Sequence, residues 1–233
     1  MSNKHLSTQF DADLHSLSSK VLHMGSLVES QVSNAIQALT TFDAKLIDHI
    51  IAVEQQLNII EIEIDAECNN VIARRQPTAR DLRLVMAISK TITNLERAGD
   101  EAEKIAKCTQ RIMATGLAHS INCAEIKLAG NMANSLLRIA LDAFTQLDSH
   151  AAATVMRDDH EIDEEFRAFV RKLIAYMMEN SQVISVAMDF LFIAKAIERI
   201  GDHAKNIAEF VIYIVEGTDI RHTKTHKINT PGV

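Results

Sequence analysis

The sequence predicts an all-α protein of two tandem three-helix bundles related by internal duplication, and three observations predict it. The first is composition. Only seven Gly and two Pro interrupt 233 residues, too few for the many turns of an all-β chain. Hydrophobic residues reach 47% while aromatics stay at 4% with no Trp, so the core must come from Leu, Ile, Val, Ala and Met. The second observation is a repeat. ERAGDEAEKIA from Glu96 to Ala106 matches ERIGDHAKNIA from Glu198 to Ala208 at seven of eleven positions, 102 residues on. AIQALTTFD from Ala35 to Asp43 likewise matches ALDAFTQLD from Ala140 to Asp148 at an offset of 105, and Glu54–Asn58 falls opposite Asp159–Asp163 at the same offset. Three matches in one order make a duplication. The third observation is a seam. Val85, Ile88, Ile92, Leu95, Gly99, Ala102 and Ala106 alternate spacings of three and four. Ala187, Phe190, Ala194, Ile197, Gly201, Ala204, Ala208, Val211 and Val215 continue the pattern in matching register, as bundled helices require.

Each element then follows from local signals. Helix 1 is expected from Phe10 to Thr41, with Asp43 capping helix 2. Helix 2 runs to Arg74, where Pro77 stops it. Thr78 with Asp81 resembles a capping box for helix 3, which ends at Ala114 before Gly116. The second unit repeats this at Asn122–Leu147, His150–Met178 and Gln182–Glu216, closed by Gly217. Short connections make neighbours antiparallel. The units are therefore expected at residues 1–116 and 117–217, followed by a flexible polar tail at 218–233.

Composition excludes several function classes. A net charge of −7 argues against a nucleic-acid coat. No run of about 18 uncharged apolar residues spans a membrane, and the start MSNKHLSTQF lacks the apolar region of a secretory signal. Cys68, Cys108 and Cys123 are odd in number and widely spaced, which points to a reducing cytoplasm.

The sharpest chemical signal is the repeated Glu-Arg-x-Gly-Asp. Residues four apart share a helix face, so Glu96 lies beside Asp100 and Glu198 beside Asp202. Adjacent carboxylates repel, and a hard divalent cation reverses that. Gly99 and Gly201 cost helix stability but let a neighbouring helix come close. The competing reading is a solvated acidic face, with Asp100–Lys104 and Asp202–Asn206 satisfying the charges locally. The copies also differ: Glu103 is answered by Lys205, which could take the space of a cation in the second site. Arg74, Arg75, Arg80 and Arg83 cluster around Pro77 and could contact an anion or an acidic partner, or simply complement the end of helix 2. His222 and His226 are spaced i, i+4 but lie in the polar tail. The Asp158–Glu165 stretch reads mainly as a solvated helix face, and Met177–Met178 as core filler.

The paired ERxGD elements, the stretch RRQPTARDLRLV from Arg74 to Val85 and the offset near 105 together closely resemble the PhoU family, over about residues 5–222. The resemblance implies a PhoU-like fold and a regulator without catalysis. It implies an adaptor between the Pst phosphate transporter, through its ATPase subunit, and a PhoR-type histidine kinase. Such an adaptor holds the phosphate-starvation response off when phosphate is plentiful and meets the membrane only peripherally, through its partners. Family metal clusters held by E(D)xxxD motifs carry over to Glu96/Asp100, to Glu198/Asp202 and, on helix 2 of the second unit, to Asp159/Asp163. The first copy reads Glu54/Asn58, where an amide leaves one fewer charged ligand. Mg, Mn, Fe and Zn all suit such donors. A homodimer is expected.

Two other classes compete. A carboxylate-metal oxidase or metal-storage bundle typically needs Glu-x-x-His on two helices, and the chain contains no Glu-x-x-His. P-loop, G-x-G-x-x-G and nucleophile-elbow patterns are missing too. A bare helical scaffold would share the fold and leave Glu96 and Asp100 as surface.

Overall fold

The computed structural model describes residues 8–118 and 120–220. The tail beyond residue 220, with His222 and His226, lies outside them, as do residues 1–7. Six helices follow in order: α1 (Thr8–Thr41), α2 (Ala44–Arg75), α3 (Ala79–Ala114), α4 (Ala124–Gln146), α5 (Ser149–Glu179) and α6 (Ile184–Glu216). The fold is all-α, two three-helix bundles related by duplication.

The repeated Asp43 and Asp148 do the same work in both bundles. Each carboxylate accepts backbone N–H groups of the first turn, from Lys45 and Leu46 in α2 and from His150 and Ala151 in α5. Gly217 ends α6 at a left-handed φ of 75°, and its N–H donates to Tyr213 at 3.0 Å. Four expectations are corrected. Thr78 makes no side-chain cap. Ala79 instead takes a left-handed φ of 47°, and a backbone bond from Asp81 N–H to the Thr78 carbonyl, 3.2 Å long, closes the turn. The fourth helix starts at Ala124, because the Asn122 side chain accepts the Ala124 N–H at 2.9 Å and holds a turn there. A 3-10 turn at Ser181–Val183 leads into α6, so Gln182 precedes the α-helix. Met178 is not core: it is 84% exposed.

Within each bundle every helix packs against the other two. Helices α3 and α6 form the broadest contact of all, and α1 meets α4. Among the described residues, α2 and α5 touch only helices of their own bundle. The inner four helices thus make a junction, with α2 and α5 on its outer flanks. The junction obeys the repeat. A Cβ on Gly25 would stand 2.7 Å from Leu141, and one on Gly130 2.8 Å from Ile36. Both residues of the second contact are counterparts, 105 positions away, of those in the first. Such self-complementary packing is what an isologous two-fold interface produces. The buried apolar residues of all six helices form one continuous core. Every seam residue of α3 and α6 named above is buried except Val215, which is 37% exposed near the end of α6.

Candidate metal centre

The seam of α2 runs Ile47, Ile50, Glu54, Leu57, Glu61, Ile64, Cys68, Val71, alternating threes and fours. Glu54 therefore points where an aliphatic residue would normally go, and it is only 5% exposed. On α3 the repeated element brings Glu96 and Asp100 to the face that meets α2. Oxygens of Glu54, Glu96 and Asp100 lie within 4.8 Å of one another. The approach depends on Gly99, because a Cβ there would stand 2.8 Å from Glu54 Oε2 and 2.8 Å from Leu57 Cδ1. From α1, Gln31 donates through Nε2 to Glu54 Oε2 at 3.0 Å and to the Ile50 carbonyl at 3.1 Å.

The electrostatics are those of a crowded acidic pocket. Burial pushes the Glu54 carboxyl up to about 7, opposed by the Gln31 hydrogen bond and reinforced by the charges of Asp100, Glu96 and Glu103. Glu96 is raised as well, by burial first and then by Asp100 and Glu61. No ion pair to Glu54, Glu96 or Asp100 occurs among the described residues. Two buried oxygens, Glu54 Oε1 and Gln31 Oε1, have no hydrogen-bond partner. Converging carboxylates, a buried amide oxygen and unpaired lone pairs fit a hard, oxygen-coordinated cation.

The second copy is arranged differently. Asp159 is buried, and Lys205 Nζ lies 2.9 Å from its Oδ2. Glu198 pairs with Lys195, and Asp163 sits 3.6 Å from Arg167. Asp202 is raised by burial, then by Glu198 and Asp159, against the pull of Lys205. Among the described residues the geometry does not bring Asp159, Asp163, Glu198 and Asp202 together as a ligand group. The local partners expected for the aspartates are engaged elsewhere. Lys104 pairs with Glu101 rather than Asp100, and Asn206 donates across the junction to Asn94 Oδ1 at 3.0 Å. The Asp158–Glu165 stretch is mainly solvated, with Asp159 and Ile162 as its buried members.

The arginines divide. Arg75 binds Asp13 of α1 at 2.8–2.9 Å, and this hydrogen-bonded pair holds the Asp13 carboxyl below its usual range. Arg83 packs its guanidinium against Gly217 at the C-terminal end of α6, where a cation is favoured. Arg74 and Arg80 are exposed.

Gln31 is not in the ligand set expected from the sequence, and Glu54 entered it only as the remaining carboxylate of the weakened Glu54/Asn58 copy. Both carry a readable signal. Gln31 interrupts the α1 seam of Leu14, Leu17, Val21, Met24, Val28 and Ala35, and its counterpart in the second unit is Leu136. Asn58, whose amide suggested a weakened first site, is exposed.

The PhoU domain family matches the chain twice, at residues 21–109 and 126–211. A protein of Burkholderia sp. named phosphate-specific transport system accessory protein PhoU homolog is 56% identical, over 98% of this chain and 97% of its own length. The Escherichia coli K12 protein named phosphate-specific transport system accessory protein PhoU is 43% identical, over 94% of this chain and 90% of its own length. The crystal structure of PhoU from Pseudomonas aeruginosa superposes with a TM-score of 0.87 at 41% identity, covering 90% of this chain and all of that one. The phosphate transport system regulatory protein PhoU from Streptococcus pneumoniae gives 0.83 at 28% identity, covering 90% and 98%. The chain belongs to the PhoU family.

Proposed function

We propose that this chain is a non-catalytic accessory regulator of phosphate-specific transport. It links the ATPase subunit of the Pst transporter to a PhoR-type histidine kinase and keeps the phosphate-starvation response silent in high phosphate. Transporter conformation biases a pre-existing equilibrium of the adaptor between its two partners. The observation that carries this is the near full-length identity to proteins named as accessory components of that transport system. The protein acts in the cytoplasm, as a homodimer, and reaches the membrane through its partners. The three cysteines are all free, in keeping with a reducing compartment. Among the described residues no helix is long and apolar enough to cross a membrane.

The pocket of Glu54, Glu96 and Asp100 is proposed to hold a cation from the Mg, Mn, Fe or Zn group. Its donors are carboxylate oxygens, so the cation would neutralise their repulsion and tie α2 to α3. An oxidase would place histidines among such carboxylates. The histidine nearest the repeated element, His203, instead turns into the junction, with Nδ1 at 3.1 Å from Asn94 Oδ1.

The test is a phosphate-starvation reporter in a deletion strain. Wild type is expected to silence it in high phosphate, and Glu96→Ala/Asp100→Ala to leave it on at equal levels of folded protein. Silencing by both would return the acidic pair to a structural role. A wild type without effect on the reporter would remove the regulatory reading.

A further inference from the structure

The two bundles present the same acidic framework to their outer helices, yet only one leaves it without an internal cation. The pockets differ on the outer helix at Glu54/Asp159, Asn58/Asp163 and Glu61/Phe166, and three further exchanges separate them. Glu103 of the first unit becomes Lys205, Thr93 becomes Lys195, and Gln31 becomes Leu136. In the first bundle Glu103 pairs with Lys107 at 2.7 Å, and Thr93 donates its hydroxyl to Glu61 at 2.9 Å. In the second bundle the ammonium of Lys205 occupies the flank of Asp159, the counterpart of Glu54, while Lys195 holds Glu198, the counterpart of Glu96. The close approach of the helices is retained, since a Cβ on Gly201 would stand 3.1 Å from Asp159 Oδ1. The close approach at the helical glycine is thus present twice, but the polar oxygen supplied by Gln31 is replaced by an aliphatic side chain. The orphaned buried oxygens Glu54 Oε1 and Gln31 Oε1 have no equivalent among the described side chains of the second pocket.

We propose that Lys205 is a built-in cation that closes the second carboxylate pocket to metal, so that the chain takes metal in its first bundle alone. This rests on the cation reading of the Glu54–Glu96–Asp100 pocket given above. A tethered ammonium brings charge compensation at no cost in captured ion, and it is always present. The second bundle therefore keeps its α5–α6 contact whether metal is scarce or abundant, whereas the α2–α3 contact of the first bundle depends on supply. Occupancy then changes one half of the molecule only.

The experiment uses the full chain stripped with chelator and then dialysed against Mn2+, with bound Mn2+ counted by elemental analysis and followed by its paramagnetic resonance. Glu54→Gln/Glu96→Gln is expected to weaken Mn2+ binding by more than about tenfold. Asp159→Asn/Asp202→Asn is expected to leave the amount bound unchanged. Lys205→Glu restores the carboxylate found at Glu103 and is expected to about double the Mn2+ bound per chain, the added half being lost again on Asp202→Asn. Lys205→Gln serves as the milder variant, and helical circular dichroism in chelator checks that each protein is folded. Retention of half the Mn2+ by Glu54→Gln/Glu96→Gln, or loss of half of it on Asp159→Asn/Asp202→Asn, overturns the inference while leaving the first site intact. A wild-type chain that binds no Mn2+ overturns the cation reading of the first pocket and this inference with it.

Discussion

His203 on α6 and Asn94 on α3 meet across the junction at 3.1 Å, Nδ1 to Oδ1, and the duplication supplies no second copy of this contact. Their counterparts are Glu101 and Ala196, so the interface is two-fold in its helices and glycines but not in its polar groups. Asn94 Oδ1 also accepts from Asn206 Nδ2 at 3.0 Å, and its Nδ2 donates to the Lys90 carbonyl. The amide is thereby oriented, and Nδ1 of the imidazole is the donor. Nε2 is left buried without a partner.

That environment makes the junction acid-sensitive. Burial, with Arg199 and Arg97 nearby, pushes the imidazole down to about 4 from its ordinary 6.5. The unfolded chain then binds more protons than the folded one between these values. Stability from His203 is complete above pH 6.5 and lost as pH falls toward 4. The full loss is on the order of 3 kcal/mol. Urea unfolding at pH 4.5 and 7 is expected to show a smaller acid-side loss in His203→Gln than in wild type.

Glu54 acts in the opposite sense over an overlapping window. Its carboxyl is raised from an ordinary 4.5 to about 7, so the folded state binds the extra proton. Metal-free protein should lose stability as pH rises from 4.5 through 7, again on the order of 3 kcal/mol. Glu54→Gln is expected to abolish this loss and to exceed wild type in stability at pH 8 in chelator. Saturating Mn2+ should reverse that order, because only wild type gains from binding. Thermal melts of both proteins in the two buffers test it. A flat wild-type profile would by itself be ambiguous, since His203 and Glu54 oppose each other, so the two variants are compared separately.

The helical glycines differ in what they can accept. Gly99→Ala would set a methyl 2.8 Å from Glu54 Oε2 and Leu57 Cδ1. Overpacking of that kind costs about 1–3 kcal/mol, more than the roughly 1 kcal/mol gained from Ala in a helix. At Gly201 the nearest atoms stand farther off, Ile162 Cδ1 at 3.0 Å and Asp159 Oδ1 at 3.1 Å. Gly201→Ala is therefore expected to lie closer to neutral than Gly99→Ala in chemical denaturation.

Lys20 pairs with Glu67 between α1 and α2, and the equivalent pair in the second bundle is Glu125 with Lys172, the charges exchanged. The contact is satisfied in either polarity. Lys20→Glu and Glu67→Lys should each destabilise slightly, and the double exchange should recover. Because both side chains are about two-fifths exposed, a double-mutant cycle is expected to give a coupling of about 0.2–1 kcal/mol that shrinks in high salt.

Much of this molecule is legible along the chain because helix ends and seams are local. Asp43 and Asp148 cap from within three residues, Pro77 and Gly217 punctuate at the positions they occupy, and the three-four spacing of α3 and α6 places their buried face. The exchange of Glu103 for Lys205 is equally visible, and the structure puts that lysine on Asp159. Thr78 shows the limit even at short range: its spacing to Asp81 suits a capping box, but the backbone conformation at Ala79 favours a different turn.

The helical class, the duplication and the acidic pair on one face of α3 are legible along the chain, each a consequence of periodicity or of contacts a few residues apart. That Glu54 and Gln31 join Glu96 and Asp100, and that His203 is sealed between the bundles, emerges from the packed helices alone. Those outcomes depend on which faces of separate helices meet, and Glu54 and Asp100 are brought together from positions 46 apart by core packing, which no local pattern encodes.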